Sequence, residues 1–370
     1  MKEFILSLVS PLKIKKYRFM TVFIAMFIFV VSVYLVAIPN QMYMKINKDL
    51  YLSQKIYVSA YIDLPEEKLP AEFIAEKYKI NDEYKMVSAS NTKEIQKYYF
   101  ENIEVKLYEE EIKSINIHIV FDLDNSVDTK LKAIREKYVQ LYPDDSDNRK
   151  TYSAYITFVE YIKLPKEEAT DSWIENKFKE LKETEDTVLE DQMRQLSNFD
   201  LFNININETE NNYLLMFFKD YAVSQVAYYD QQAEKITYPS IQVIYSDQNL
   251  KFDFSDKTTL TEFGNYFAQT MFKPLSSSDQ TNYLLQVVGY VILFPAIFVL
   301  LLCWSMRKRG VMKTYKEYYN VAAISSIIPA IITFIIGWFV PMAATIYGAL
   351  FCLFTLFVYI KINSTPELGD

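Results

Sequence analysis

The chain has 370 residues and a net charge of −8, and 51% of it is hydrophobic, yet it holds only six glycines, two cysteines and one histidine. So few glycines leave neither a G-x-G-x-x-G fingerprint nor a P-loop, and a single histidine with no cysteine outside the apolar runs removes Cys–His chemistry and His- or Cys-based zinc sites. Acidity of this degree argues against nucleic acid as a partner, and no cofactor is indicated.

Residues 1–18 open with a short apolar segment at 4–10, then Pro11 and a basic cluster of Lys13, Lys15, Lys16 and Arg18. This segment is too short to span a bilayer and is suited to lie along its surface. The uncharged run Phe19–Ile38 follows, close to the ~20 residues that a helix needs to cross ~30 Å of hydrocarbon, and no A-x-A-like cleavage site comes after it. We read 19–38 as an uncleaved first span.

Residues 40–282 carry 28 Lys+Arg and 43 Asp+Glu, against 11 and 4 in the rest of the chain, and read as the soluble part. Tyr61-Ile62-Asp63-Leu64-Pro65 recurs one hundred residues later as Tyr161-Ile162-Lys163-Leu164-Pro165. Each is read as the end of a strand, Ile56–Leu64 and Tyr152–Leu164, followed by an amphipathic helix. Strand pairs are predicted after each, Ile103–Tyr108 with Ile112–Phe121 and Phe202–Asn207 with Tyr213–Phe218. The expectation is a duplicated strand-turn-helix unit, with one copy in 40–150 and the other in 151–235; chance similarity is the alternative. A membrane-proximal segment, 236–282, is predicted to hold a hairpin arm with alternating Lys251, Phe252, Asp253 and Phe254. After it comes a helix with Leu260, Phe263, Phe267 and Met271 on one stripe, and a polar linker, Ser276–Gln280.

Within the predicted strand 112–121, Ile115, Ile117, Ile119 and Phe121 share one face. His118 then lies on the other face with Asn116 and is read as solvated. Asp122, Asp124, Ser126 and Asp128 have the alternate spacing of a calcium loop, but Val127 stands where glycine is needed and Ala133 where the bidentate glutamate is needed. No metal site and no catalytic residue is predicted.

Three further uncharged runs, Leu284–Ser305, Val321–Val340 and Met342–Ile360, make the second span (283–306) and a helical hairpin (321–361), before a tail at 362–370. Pro295 and Pro329 are each predicted to kink their span. Ala322, Ser326 and Pro329 in one helix, and Ala344, Gly348 and Cys352 in the next, form small-residue stripes suited to close packing. They serve either this chain's own spans or a groove for another protein's helices. A basic loop at 307–320 carries Arg307, Lys308, Arg309, Lys313 and Lys316. Together with the basic N-terminus it places both termini in the cytoplasm and 40–282 outside, by the positive-inside rule.

Thr314-Tyr315-Lys316-Glu317-Tyr318-Tyr319-Asn320 running into the third span, with Ser10-Pro11-Leu12-Lys13 and Tyr17-Arg18 before the first, resembles the YvdJ-like maltodextrin-utilisation family of Gram-positive membrane proteins. Ile241–Phe254 is similar to that family's membrane-proximal β segment, while the insert at 50–235 is larger than the family's. The resemblance implies an anchor, an extracytoplasmic domain and a C-terminal helical block associated with sugar uptake, and it supplies no catalytic residues.

The expectation is a four-helix membrane protein with a large extracytoplasmic α+β domain, acting without catalysis as an accessory to a maltodextrin-type ABC permease. The alternative is a membrane-anchored sensor or ligand-binding protein, which requires a concave, aromatic-lined pocket in the insert. An extracytoplasmic hydrolase would instead require two carboxylates converging at ~5–10 Å.

Overall fold

The computed structural model describes residues 10–107, 111–206, 211–230, 233–308, 310–340 and 343–364. Among them, four helices are long and apolar enough to cross a membrane: Val22–Ile46, Leu260–Met306, Tyr315–Ile336 and Ala344–Asn363. The chain divides into a membrane unit, up to Lys48 and from Leu275 onward, and a soluble unit, Asp49–Pro274.

In the membrane unit the first helix starts later and ends later than 19–38. Lys15–Phe19 is a 3₁₀ turn, Thr21 is the N-cap, and the helix continues through Pro39 to Ile46. The core of the bundle is drawn from every span: Phe29 and Val36 of the first, Val291 and Val299 of the second, Val321 and Ala330 of the third, Tyr347 and Phe351 of the fourth. Both predicted prolines mark a break just upstream. A π-helical turn, Gly289–Leu293, precedes Pro295, and the third span is interrupted at Ser326 before Pro329. Proline has no N–H for the carbonyl four residues back and its ring crowds that carbonyl, so the ladder loosens there.

The soluble unit is built on one mixed sheet. In chain order its elements are α1 (Ala71–Glu76), β1 (Lys79–Ile80), β2 (Met86–Val87), β3 (Gln96–Leu107), β4 (Glu111–Asp122) and α2 (Ser126–Leu141). They continue with α3 (Asp147–Tyr161), α4 (Asp171–Glu183), α5 (Asp186–Gln195), α6 (Asn198–Leu201), β5 (Asn211–Phe218), β6 (Tyr221–Asp230), β7 (Lys235–Thr237), β8 (Ser240–Ile244), α7 (Tyr245–Gln248) and the part up to Pro274 of α8 (Leu260–Val288). The sheet order is β3-β4-β5-β6-β7, with β8 also on β6. Among the described strands only β4 and β5 pair in parallel, and helices α2 to α6 form the crossover between them.

Both faces of this sheet are covered, which is why β5 reads Tyr213-Leu214-Leu215-Met216-Phe217-Phe218 with no polar alternation. On one face Leu214, Met216 and Phe218 pack under Val127, Ile134, Tyr138, Phe158 and Phe178 of the crossover helices. On the other, Phe121 and Phe217 stack on each other at 4.8 Å, Tyr78 lies over Phe121 at 3.6 Å, and Phe252, Phe254 and Phe267 close on Phe217. Burying each such side chain is worth about 1.5–3 kcal/mol, so these two layers hold the unit together.

Several local expectations are overturned. Ile56–Leu64 and Tyr152–Leu164 are not strands: Tyr61 closes a 3₁₀ turn, Ser59–Tyr61, and Tyr161 ends helix α3. The recurring pentapeptide thus takes two different structures, and the duplicated strand-turn-helix unit is absent from the described residues. Helix α3 is buried on most of its circumference, at Ser153, Ala154, Ile156, Thr157, Phe158 and Val159, and such a run cannot be told from a strand by its period. Its start is fixed by Ser146, whose side chain accepts from the Arg149 amide. Phe202–Ile206 is not a strand, and Asn207 lies outside the described residues. Ser276–Gln280 is helical within α8 and not a linker. The predicted pair 103–108 with 112–121 is the β3–β4 hairpin, with Tyr108 outside the described residues. The stripe Leu260, Phe263, Phe267 and Met271 is fully buried.

Candidate functional site

A cleft of about 950 Å³ opens between the end of α5 and the strands β6 and β7, lined by Asp191, Arg194, Gln195, Leu196, Gln225, Tyr229, Glu234, Lys235, Ile236, Thr237 and Tyr238. One wall is set by Leu189, which is fully buried with Ile156 and Leu181 and so turns Asp191 and Arg194 outward. Arg149 fixes the turn before that wall. Its Nη1 donates to the carbonyls of Leu181 and Lys182 at 3.1 and 3.0 Å, its Nη2 to that of Thr184 at 2.5 Å, and its Nε to Asp186 at 2.6 Å. The guanidinium therefore satisfies the carbonyls left open at the end of α4 while anchoring the start of α5.

Gln225 forms the floor. Its Oε1 accepts from the amide of Asn198 at 3.0 Å and its Nε2 donates to the carbonyl of Tyr238 at 3.3 Å, joining the start of α6 to the β7–β8 turn. Ser197, next to it, closes a capping box with Asp200. Tyr229 on β6 is 49% exposed and presents its ring to the cleft, and Tyr238 leans on Phe199 at 6.5 Å. Thr237 Oγ1 is buried without a hydrogen-bond partner. The charged lining is balanced, with Asp191 and Glu234 against Arg194 and Lys235, and Arg194 is also paired with Glu190 at 2.5 Å. Two rings, amide groups and a neutral balance of charge suit an uncharged polar ligand better than an ion.

A smaller cavity of about 360 Å³ is lined by Lys77, Lys79, Val87, Ser88, Ala89 and Ser255. Among the described residues there is no cluster of three or more His, Cys, Asp or Glu able to hold a metal ion. The calcium-like spacing has another use. Asp122 caps α2, accepting from the amides of Ser126 and Val127 at 2.7 and 2.9 Å, and Asp128 accepts from the Tyr221 hydroxyl at 3.1 Å. His118 is not solvated. It is 8% exposed, stacked on Tyr99 at 4.5 Å with Phe199 at its edge, and desolvation pushes its pKa down to about 4.

In the membrane unit, Ala322, Ser326, Pro329, Ala344 and Gly348 are all buried and Cys352 is half-buried. Ser326 Oγ lies 3.5 Å from Ser32 Oγ of the first span, and a Cβ added to Gly348 would stand 3.4 Å from the Tyr290 ring. These small residues are thus covered by this chain's own spans. Of the basic loop, Arg307, Lys308, Lys313 and Lys316 are exposed, and Arg309 lies outside the described residues.

The cleft residues carry no sequence motif. Arg149 and Gln225 act through backbone groups distant in sequence, and the local signals that mark their surroundings are the capping residues Ser146 and Ser197. Compared with family models, with curated proteins and with solved structures, the chain matches none.

Proposed function

We propose that this is a multi-pass membrane protein whose soluble unit binds an uncharged, polyhydroxylated ligand of the short-oligosaccharide class. The cleft with Tyr229 and Tyr238 carries this reading, because it is the concave, aromatic-lined pocket that a ligand-binding role requires. The resemblance to maltodextrin-utilisation proteins selects glucans as the first ligands to try. The role is binding without catalysis, and the positive-inside rule puts the soluble unit outside the cytoplasm and both termini inside.

In this reading the downstream partner is an ABC-type uptake permease, reached through lipid-facing side chains of the spans such as Leu301, Trp304 and Leu353, which are exposed in the isolated chain. The test is titration of the detergent-solubilised full chain with maltooligosaccharides of increasing length, with the sugar analysed afterwards. Saturable binding and recovery of intact sugar support the reading. Cleaved sugar would replace it with a hydrolase, and no heat of binding at any length would remove the glucan assignment. Gentle purification followed by mass spectrometry tests the partner: stoichiometric permease and ATPase subunits are expected, and a solitary protein would overturn that part.

A further inference from the structure

We infer that the basic end of the membrane unit is a docking surface for anionic phospholipid headgroups, independent of the ligand that the soluble unit takes. Four stretches far apart in sequence converge there. Asn320 in the third span donates through Nδ2 to the carbonyls of Arg18 at 2.9 Å and Met20 at 2.5 Å, which fastens the N-terminal 3₁₀ turn beside Tyr315–Ser325. Asn363 at the end of the fourth span accepts from the Val311 amide at 3.0 Å, fastening the loop after the second span. Ile14, Met312 and Ile362 are fully buried in one cluster, so the three segments form a single packed end.

Around that end Lys13, Lys16, Arg307, Lys308, Lys313 and Lys316 are exposed, and none of the six makes an ion pair among the described residues. The acidic residue of these described stretches, Glu317, does not neutralise them. Its carboxylate is turned onto its own helix start, accepting from the amides of Lys313 and Thr314 at 2.7 and 2.9 Å and from the Thr314 hydroxyl at 3.2 Å. Arg18 lays its guanidinium over the Phe19 ring at 4.6 Å, and its Nη1 is buried without a hydrogen-bond partner.

The apolar neighbours identify the occupant. Leu12, Phe19 and Phe23 are exposed beside these cations, Phe23 at 81%. Phe23 belongs to the first apolar helix and Phe19 stands just before it, so the cations beside them lie at the level of the headgroups, where the anions within reach are phospholipid phosphates. The cations reach these phosphates by extending along the headgroup level.

The test uses the full chain in mixed micelles containing equal amounts of phosphatidylglycerol and phosphatidylcholine with matched acyl chains, and native mass spectrometry of the lipid retained. The wild type is expected to enrich phosphatidylglycerol about fivefold or more, given the attraction of each Lys or Arg to an anionic surface. K13Q/K16Q/R307Q/K308Q/K313Q/K316Q should bring the ratio close to one, while K130Q/K132Q/K166Q/K179Q on the soluble unit leaves it unchanged. Equal retention of both lipids by the wild type, or equal loss in the two variants, overturns the proposal. Should the first variant fail to fold, K313Q/K316Q is read in its place, and an unchanged ratio there overturns it as well.

Discussion

Gln225 and Tyr238 are joined by a side-chain-to-backbone hydrogen bond of 3.3 Å, and the same Gln225 receives the Asn198 amide, so one buried amide holds both sides of the cleft floor. Replacement by leucine keeps the volume and removes both bonds, leaving a backbone N–H and a carbonyl unpaired. Gln225→Leu should destabilise the protein by about 1–3 kcal/mol and weaken ligand binding, while Gln225→Glu keeps the bond from Asn198 and loses the one to Tyr238. Thermal melts with and without maltooligosaccharide check this; an unchanged melt for Gln225→Leu contradicts it.

Arg149 satisfies three backbone carbonyls and Asp186 at once through a planar fork. A lysine has the charge without the fork, so Arg149→Lys should be nearly as damaging as Arg149→Ala, each costing about 2–4 kcal/mol. Urea unfolding of the two variants decides it, and full rescue by lysine would show that charge alone matters.

His118 gives the soluble unit a pH dependence with a defined sign. Its folded pKa of about 4 lies below the ordinary 6.5, so the unfolded chain takes up the proton first as pH falls. The contribution of neutral His118 is complete above about pH 6.5 and is lost progressively down to about pH 4, amounting to about 3 kcal/mol over that window. His118→Phe retains a ring against Tyr99 and should flatten the stability difference between pH 7 and pH 5 by about 2 kcal/mol. Parallel pH profiles for the two proteins would contradict the assignment.

Two glycines should respond oppositely to alanine. A Cβ on Gly264 would stand 2.5 Å from both the Tyr61 carbonyl and Leu64 Cδ1, whereas one on Gly289 meets nothing within 4 Å. Gly264→Ala must push backbone aside and should cost about 1–3 kcal/mol, with Gly289→Ala close to neutral. Melting temperatures of the two variants, measured side by side, test the packing of α8 on the Ser59–Tyr61 turn.

Legibility of the sequence followed the environment of each segment. The four long apolar helices were readable because their uncharged runs reach the length that crosses a bilayer, and the Leu260–Met271 stripe because it faces a core on one side only. Helix α3 and strand β5 are buried on most sides, so their periods vanish, and an apolar run of this kind reads as a strand in both places although α3 is a helix. The alternation that set His118 opposite Ile117 was real, but the opposite face is covered by Phe199 and not by water. The cleft was invisible because its lining joins the end of α5, in the crossover between β4 and β5, to β6 and β7 beyond that crossover, which no local pattern records.

The most direct test of the binding role is calorimetric titration of maltoheptaose into the full chain, alongside Tyr229→Ala and Tyr238→Ala. Loss of a stacking ring should weaken a saturable wild-type isotherm about tenfold for Tyr229, with the unfolding temperature unchanged because that ring is half exposed. Saturable binding that both variants retain in full, or no wild-type binding to glucans at all, would contradict the assignment of this cleft.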